Sequence, residues 1–207
     1  MNESISVHRG GLLLLLLSLL LAACGQAPVP DDSPVKGAAM GRNGPHGGHF
    51  TLTDQNGRRV SDTDFAGRYR LIYFGYTFCP DVCPVDMRVI GAGLRRFEQQ
   101  DRALGAKVQP IFISVDPARD TPAVLREFVA NFHPRLIGLT GTPDELAGVA
   151  RDYGAYFQRR EGATAGSYLM DHSRTAVLYG PENEPLAIIP YDQGPEGVAS
   201  ELARWVR

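Results

Sequence analysis

Short apolar runs that alternate with helix patterns limit the folds open to this chain of 207 residues. The runs at 71–74, 111–115 and 176–179 are continuous rather than alternating, which is typical of strands that are buried on both faces of a sheet. A fourth run at 186–189 follows the turn sequence Gly-Pro-Glu-Asn at 180–183, and this spacing predicts a β-hairpin. The chain is therefore expected to build a sheet whose central strands are buried.

Helix signals lie between the predicted strands. Thr121 precedes Pro122 and opens an apolar stripe, and a capping box at 142–145 opens a second helix that Gly154 ends. A last helix at 198–206 follows the hairpin. Strands and helices that alternate and finish in a hairpin and a helix predict an α/β fold, a three-layer α/β/α sandwich of the thioredoxin-like kind.

Composition excludes several classes of protein. The formal net charge of −2 lacks the basic surplus of nucleic-acid-binding proteins, so we expect no nucleic-acid partner. A hydrophobic content of 43% with 9% aromatic residues excludes a disordered chain. Three cysteines are too few for a scaffold stabilised by several disulfides. Because their number is odd, one of them is expected to have a role other than pairing with the other two.

The N-terminus has the form of an export signal. Residues 12–23 are an apolar block that would reach about 18 Å as a helix, against a hydrocarbon core of about 30 Å. The block ends in Leu-Ala-Ala-Cys at 21–24, which resembles the cleavage site of bacterial lipoproteins. We therefore expect residues 1–23 to be a signal peptide and Cys24 to carry lipid. A plain secretory signal with a spare thiol and a short membrane anchor are the alternatives.

Proline and glycine dominate the segment that follows. Residues 24–48 show no helix or strand periodicity, so we expect a flexible tether with an end-to-end distance of about 25–30 Å. The globular domain is then expected at 49–207. Its lipid anchor would hold it at a membrane of the cell envelope, on the extracytoplasmic, periplasmic side.

Two cysteines stand in the sequence Cys-Pro-Asp-Val-Cys-Pro at 79–84, after the first buried strand and at the start of a helix that runs to about Gln100. Cβ atoms four residues apart in a helix are about 6 Å apart, whereas a disulfide needs about 3.5–4.5 Å. Cys79 must therefore lie off the helix for a disulfide to form, while a soft metal ion tolerates the wider spacing. Metal binding and thiol redox chemistry are favoured over a structural disulfide or two inert thiols.

A third ligand would make the metal interpretation specific. His172 lies in an expected loop, residues 168–173, that leads into the strand at 176–179. In a thioredoxin-like fold this loop faces the cysteine turn. His46 and His49 lie at the glycine-rich end of the tether, where a metal site would be poorly preorganised.

Structural roles are favoured for other residues near these motifs. His133 is expected at the surface or at a helix end, and Met87 and Met170 are expected to fill the core rather than to bind metal through sulfur. Asp81 is expected to cap the helix or to tune the cysteine pKa.

Three aspartates flank the remaining motifs. Asp116 and Asp120 follow a predicted strand, and turn or capping roles are favoured over a partner-docking surface. Asp171 is expected to point away from His172 along an extended segment, with an orienting role through the fold as the alternative.

In these motifs the sequence resembles the Sco/SenC family of copper proteins. The family's copper ligands map onto Cys79, Cys83 and His172, and two thiolates with one imidazole form a soft donor set that suits Cu(I) and can hold Cu(II). The segments that carry the resemblance are Tyr-Thr-Phe-Cys-Pro-Asp-Val-Cys-Pro at 76–84, Ser-Val-Asp-Pro-Ala-Arg-Asp-Thr-Pro at 114–122, Phe-His-Pro at 132–134, Gly-Leu-Thr-Gly at 138–141 and Asp-His-Ser at 171–173.

The resemblance implies a membrane-tethered copper metallochaperone, in a bacterial lipoprotein form, rather than an enzyme with catalytic residues. Its partner would be the copper-bearing subunit of cytochrome c oxidase, whose dinuclear copper site it helps to assemble; other periplasmic copper chaperones or thiol reductants would be further partners. The alternative is a thiol–disulfide oxidoreductase in which Cys79 and Cys83 are the redox-active pair that reduces partner cysteines before metallation. A thioredoxin-type reductase would be expected to carry proline near 171–173, so Asp-His-Ser there favours metal binding.

Overall fold

Buried strands organise residues 47–207, the part of the chain that the computed structural model describes. The predicted signal peptide, Cys24, most of the tether and His46 lie outside the described residues. The strands are β1 (Thr51–Asp54), β2 (Arg59–Ser61), β3 (Tyr69–Gly75), β4 (Val108–Ser114), β5 (Ile137–Thr140), β6 (Phe157–Glu161), β7 (Tyr168–His172), β8 (Ala176–Tyr179) and β9 (Pro185–Ile188). The helices are α1 (Val82–Gln100), α2 (Arg102–Ala106), α3 (Pro122–Val129), α4 (Pro143–Asp152) and α5 (Gly194–Trp205).

Seven strands form one mixed sheet in the order β2-β1-β5-β4-β3-β8-β9. Strand β4 runs parallel to both of its neighbours, β3 and β5, whereas all other neighbouring pairs are antiparallel. All seven residues of β3 and all seven of β4 are buried, which confirms the two predicted central strands. The antiparallel pair of β8 and β9 confirms the predicted hairpin.

Helices cover both faces of this sheet. On one face the Tyr73 hydroxyl of β3 donates to Asp86 of α1 at 2.8 Å, and α5 packs against α1. The next residue of β3, Phe74, points to the opposite face, where its ring centroid lies 6.3 Å from that of Tyr153 at the end of α4. The arrangement confirms the predicted three-layer α/β/α sandwich. No helix within residues 47–207 has both the length and the apolar character needed to cross a membrane.

Strands β6 and β7 form a separate antiparallel pair beside the main sheet. The expectation of a loop at 168–173 is therefore wrong, because His172 is the last residue of β7. Four of the five β6 residues are exposed and only Met170 of β7 is buried, so neither strand carries the apolar pattern that reveals a strand in a sequence. Strands β1, β2 and β5 also lack a signal, because each has only three or four residues and none of them is a continuous apolar run like that of β8.

Candidate metal centre

Three elements bring two cysteines and one histidine together beyond the carboxyl end of β3. Cys79 lies in the turn between β3 and α1, Cys83 in the first turn of α1 and His172 at the end of β7. Their ligand atoms lie within 4.8 Å of one another, and Cys83 Sγ is 3.2 Å from His172 Nε2. No fourth histidine, cysteine or carboxylate of residues 47–207 joins this group. The structure thus brings together the three side chains that the sequence predicts as ligands.

The turn places the Cys79 sulfur at the N-terminus of α1. The backbone N–H of Cys83 donates to Cys79 Sγ at 3.4 Å, whereas the side chain of Asp81, the residue before α1, makes no capping hydrogen bond. The Cys79 sulfur therefore takes the helix-capping role that the sequence predicts for Asp81. The partial positive charge of a helix N-terminus stabilises a thiolate there.

The two thiols differ in their tendency to ionise. A hydrogen bond from the Cys83 thiol lowers the pKa of Cys79, whereas burial of Cys79 raises it. The neighbouring His172 side chain and hydrogen bonds from the backbone N–H groups of Cys83 and Asp81 lower this pKa further. The hydrogen bond between the two thiols, together with burial, raises the pKa of Cys83. Both cysteines are free. Cys79 is therefore the thiol of the pair that ionises more readily, and Cys83 is the one that keeps its proton more readily.

His172 presents one ring nitrogen to the sulfurs. Its Nδ1 lies 3.0 Å from the carbonyl oxygen of Ser173, which can only accept, so Nδ1 carries the proton and Nε2 keeps its lone pair. The rings of Tyr73 and Tyr76 meet the imidazole edge-on, with centroid distances of 6.2 and 5.9 Å. The imidazole is thereby held in the tautomer and orientation of a metal ligand.

Gly75 provides the space for the Cys83 side chain. A Cβ atom at this position would lie 3.2 Å from Cys83 Sγ and 2.9 Å from Cε2 of Phe112. The last residue of β3 must therefore be small for the buried sulfur to occupy its position.

A buried carboxylate anchors the chain directly after His172. Asp86 of α1 accepts hydrogen bonds from the Tyr73 hydroxyl at 2.8 Å and from Nε and Nη2 of Arg174 at 3.2 and 2.9 Å. Because Asp86 is one turn beyond Cys83, this contact ties the histidine segment to the helix that carries the cysteine. None of the sequence predictions includes this anchor, although a carboxylate on the buried face of an amphipathic helix is a signal for a buried polar contact.

A cleft leads from solvent to the site. It has a volume of about 280 Å³, and Cys79, His172 and Leu169 are among the residues that line it. Phe78, next to Cys79 in the chain, is 50% exposed. The sulfur of Cys79 is therefore reached through an opening, whereas Cys83 is fully buried.

The other two histidines among residues 47–207 lie elsewhere. His49 is exposed, and its Nδ1 lies 3.0 Å from Asp62. The expectation that His133 lies at the surface is wrong, because its side chain is buried shortly after the end of α3. Its Nε2 lies 3.3 Å from Glu98, and its Nδ1 accepts from the backbone N–H of Arg135.

The aspartates after β4 are buried, so a docking surface at these residues is excluded. Asp120 accepts from the backbone and hydroxyl of Thr77 at 3.0 and 2.6 Å, which braces the loop that precedes Cys79. The core roles predicted for Met87 and Met170 are confirmed by their burial.

The extended segment around His172 turns Asp171 the other way. Its carboxylate is half-exposed and lies 3.2 Å from Nη2 of Arg160 on β6. The His172 imidazole is hydrogen-bonded to the Ser173 carbonyl instead of to Asp171. The side chains of Asp171 and His172 thus point in opposite directions, as expected for neighbouring residues of an extended segment.

A family model described as SCO1/SenC matches residues 38–207. The chain belongs to the SCO1/SenC family. The match includes Cys79, Cys83 and His172, so the candidate metal centre lies in the part of the chain that matches the family.

Relatives of known sequence or structure agree with this assignment. SenC of Rhodobacter capsulatus is 40% identical over 156 residues, which are 75% of this chain and 68% of SenC. ScoI of Bradyrhizobium japonicum, solved with copper bound, has a TM-score of 0.70 and 40% identity over 77% of this chain and 99% of that one. BsSco, a member of the Sco family of cytochrome c oxidase assembly proteins in which a disulfide switch is identified, has a TM-score of 0.57 and 26% identity over 79% and 97%.

These structural similarities confirm the thioredoxin-like fold of this SCO1/SenC protein. The chain spans 40% to 58% of the length of several eukaryotic SCO proteins that it matches.

Proposed function

We propose that this SCO1/SenC protein is a copper metallochaperone that binds one copper ion through Cys79, Cys83 and His172. The observation that carries the proposal is the convergence of two sulfurs and one imidazole nitrogen within 4.8 Å, with no fourth ligand of these types among the described residues. Soft sulfur donors in a low-coordinate set favour Cu(I), and the imidazole allows Cu(II) as well. Structural zinc normally requires a fourth protein ligand.

Copper is the cargo of this protein rather than a resident cofactor. Cys79 lies on the cleft and Cys83 is buried behind it, so a partner's donor atoms reach copper from the Cys79 side. We propose that the partner is the copper-bearing subunit of cytochrome c oxidase and that copper passes to its dinuclear site by ligand exchange. The membership of BsSco in a family of oxidase assembly proteins supports this partner. Other periplasmic copper chaperones and thiol reductants are proposed as further partners.

We propose that the protein acts at a membrane of the cell envelope. Residues 1–23 would be removed as a signal peptide, Cys24 would carry lipid, 24–48 would form the tether and 49–207 the copper-binding domain. The small residues before Cys24 and the proline-rich and glycine-rich segment after it support this organisation. The domain would face the extracytoplasmic, periplasmic side.

The thiol pair itself favours a second function. A Cys79 thiolate beside a protonated Cys83 is the arrangement that attacks a disulfide, and it supports a thiol–disulfide oxidoreductase that reduces partner cysteines before metallation. Such chemistry requires the two cysteines but not His172. The two functions therefore differ in their dependence on the histidine.

Replacing His172 with alanine is expected to abolish stoichiometric copper binding, so that less than one copper per chain survives gel filtration. The remaining two sulfurs form a weaker site that holds copper only when copper is in excess. Copper per chain after gel filtration, with optical and electron paramagnetic resonance spectra of the Cu(II) form, measures the effect. His49→Ala is the matched control, since this exposed histidine lies outside the group and should leave one copper per chain.

An undiminished copper content in His172→Ala would contradict the three-ligand site. If that variant also supported oxidase assembly in cells while Cys79 and Cys83 remained essential, the oxidoreductase function would replace the chaperone function.

A further inference from the structure

The strand that carries His172 has no hydrogen-bonded neighbour in the main sheet. Strands β6 and β7 pair only with each other, with Phe157 opposite His172. Backbone pairing therefore cannot fix the distance between His172 and the cysteine turn. Other contacts must hold β7 against the body of the domain.

One such contact is a cluster at the start of β7. The Arg119 guanidinium lies 3.7 Å from the centroid of the Tyr168 ring, and its Nη1 donates to the Tyr168 carbonyl at 3.2 Å. The Tyr168 hydroxyl donates to Asp116 at 2.9 Å. Asp116 also accepts from Nε of Arg119 at 2.5 Å. Each of the three residues thus contacts the other two.

The cluster joins the hairpin to the rigid part of the domain. Asp116 is buried directly after β4, and Arg119 lies in the same loop before α3. Tyr168 and His172 are the two ends of β7, about 13 Å apart in an extended strand. Beyond His172, Arg174 is bound to Asp86 of α1. The strand is therefore fixed at both ends.

We propose that Asp116, Arg119 and Tyr168 form a clamp that positions His172 for copper binding. This inference rests on the proposed copper function for its consequence, but the mechanical claim concerns the copper-free chain. The clamp residues do not contact the metal, so they are positioning residues. Opening the clamp releases β7 at its first residue and lets the imidazole leave the sulfurs.

Arg119→Met keeps the length of the side chain but removes its charge and its hydrogen bonds. We expect about a 10- to 100-fold loss of Cu(I) affinity, the usual effect of removing a residue that orients a metal ligand. Competition with a chromophoric chelator measures the affinity of the full chain. The Cu(II) spectrum is also expected to shift toward that of His172→Ala.

Arg159→Met is the matched control. The Arg159 guanidinium lies 3.9 Å from the centroid of the same Tyr168 ring, but Arg159 belongs to β6 and pairs with Glu161 of that strand. Arg159 therefore stabilises contacts within the β6–β7 hairpin and does not link the hairpin to the rest of the domain. We expect the copper affinity of Arg159→Met to differ from that of the wild type by less than about threefold. Tyr168→Phe, which keeps the ring and loses only the bond to Asp116, is a milder second variant.

Two further measurements separate the clamp from a general loss of stability. In a His172→Ala background, Arg119→Met is expected to cause no additional loss of affinity, because the clamp acts through the histidine. In the copper-free chain, amide hydrogen exchange of residues 168–172 is expected to accelerate in Arg119→Met and not in Arg159→Met.

The proposed clamp is contradicted if Arg119→Met has the same amide exchange rates in β7 and the same copper affinity as the wild type. It is equally overturned if the affinity loss is as large without His172 as with it. Failure of the proposed copper function is a different result, seen when the wild type itself binds no copper; hydrogen exchange of the copper-free chain still decides the clamp in that case.

Discussion

Serine in place of Cys79 or Cys83 is expected to lower copper affinity by more than about 100-fold, the upper range for loss of a residue that only orients a ligand. Each substitution exchanges a soft sulfur for a hard hydroxyl oxygen that stays protonated at neutral pH. Cys83 is fully buried with its sulfur 3.2 Å from His172 Nε2, so no water or neighbouring side chain can readily replace it. Chelator competition on the purified chain measures the loss for each variant.

Cys24→Ser is the matched control for these variants. It removes the third cysteine, which lies outside the described residues and which we propose carries lipid. We expect this variant to bind copper as the wild type does. We also expect the variant protein to appear in the soluble fraction of cells instead of the membrane fraction. Wild-type affinity in Cys83→Ser, or an equal loss in Cys24→Ser, would contradict the proposed division of the three cysteines.

Alanine in place of Asp86 is expected to lower the free energy of unfolding by about 2–4 kcal/mol. The buried Tyr73 hydroxyl would lose its acceptor, which carries most of the penalty, because the half-exposed Arg174 can regain water. Urea denaturation followed by circular dichroism measures the change. Copper affinity is expected to fall as well, since Arg174 no longer ties the segment after His172 to α1.

Asp171→Ala is the control for Asp86→Ala. This carboxylate is the chain neighbour of His172, but it is half-exposed and pairs with Arg160 across the hairpin at 3.2 Å. We expect its stability to change by no more than about 0.5 kcal/mol. Equal destabilisation by the two substitutions would show that the remote carboxylate is not the anchor.

Sequence patterns predict the parts of this molecule that depend on local or strongly apolar signals. The continuous apolar runs identify β3, β4 and β8, and the capping residues identify α3 and α4. The spacing of Cys79 and Cys83 after a buried strand indicates their chemistry, and the position of His172 before the strand at 176–179 indicates a third ligand, which the family resemblance also implies. These features depend on residues that are close in the chain or carried by a recognisable motif.

Long-range polar contacts could not be predicted in the same way. Asp86 and Arg174 are 88 residues apart, and the Tyr168 hydroxyl reaches Asp116 across 52 residues. Asp116, Asp120 and His133 are buried, although isolated polar residues are usually exposed, because each has hydrogen-bond partners that no local pattern reveals. The hairpin of β6 and β7 stays hidden for the related reason that most of its residues face water.

X-ray absorption at the copper edge of the full chain loaded with Cu(I) tests the central claim most directly. The proposed site predicts two sulfur neighbours and one imidazole nitrogen around copper, with the nitrogen lost in His172→Ala and one sulfur lost in Cys83→Ser. A copper environment of nitrogen and oxygen alone, or one that neither substitution changes, would contradict a copper site at Cys79, Cys83 and His172.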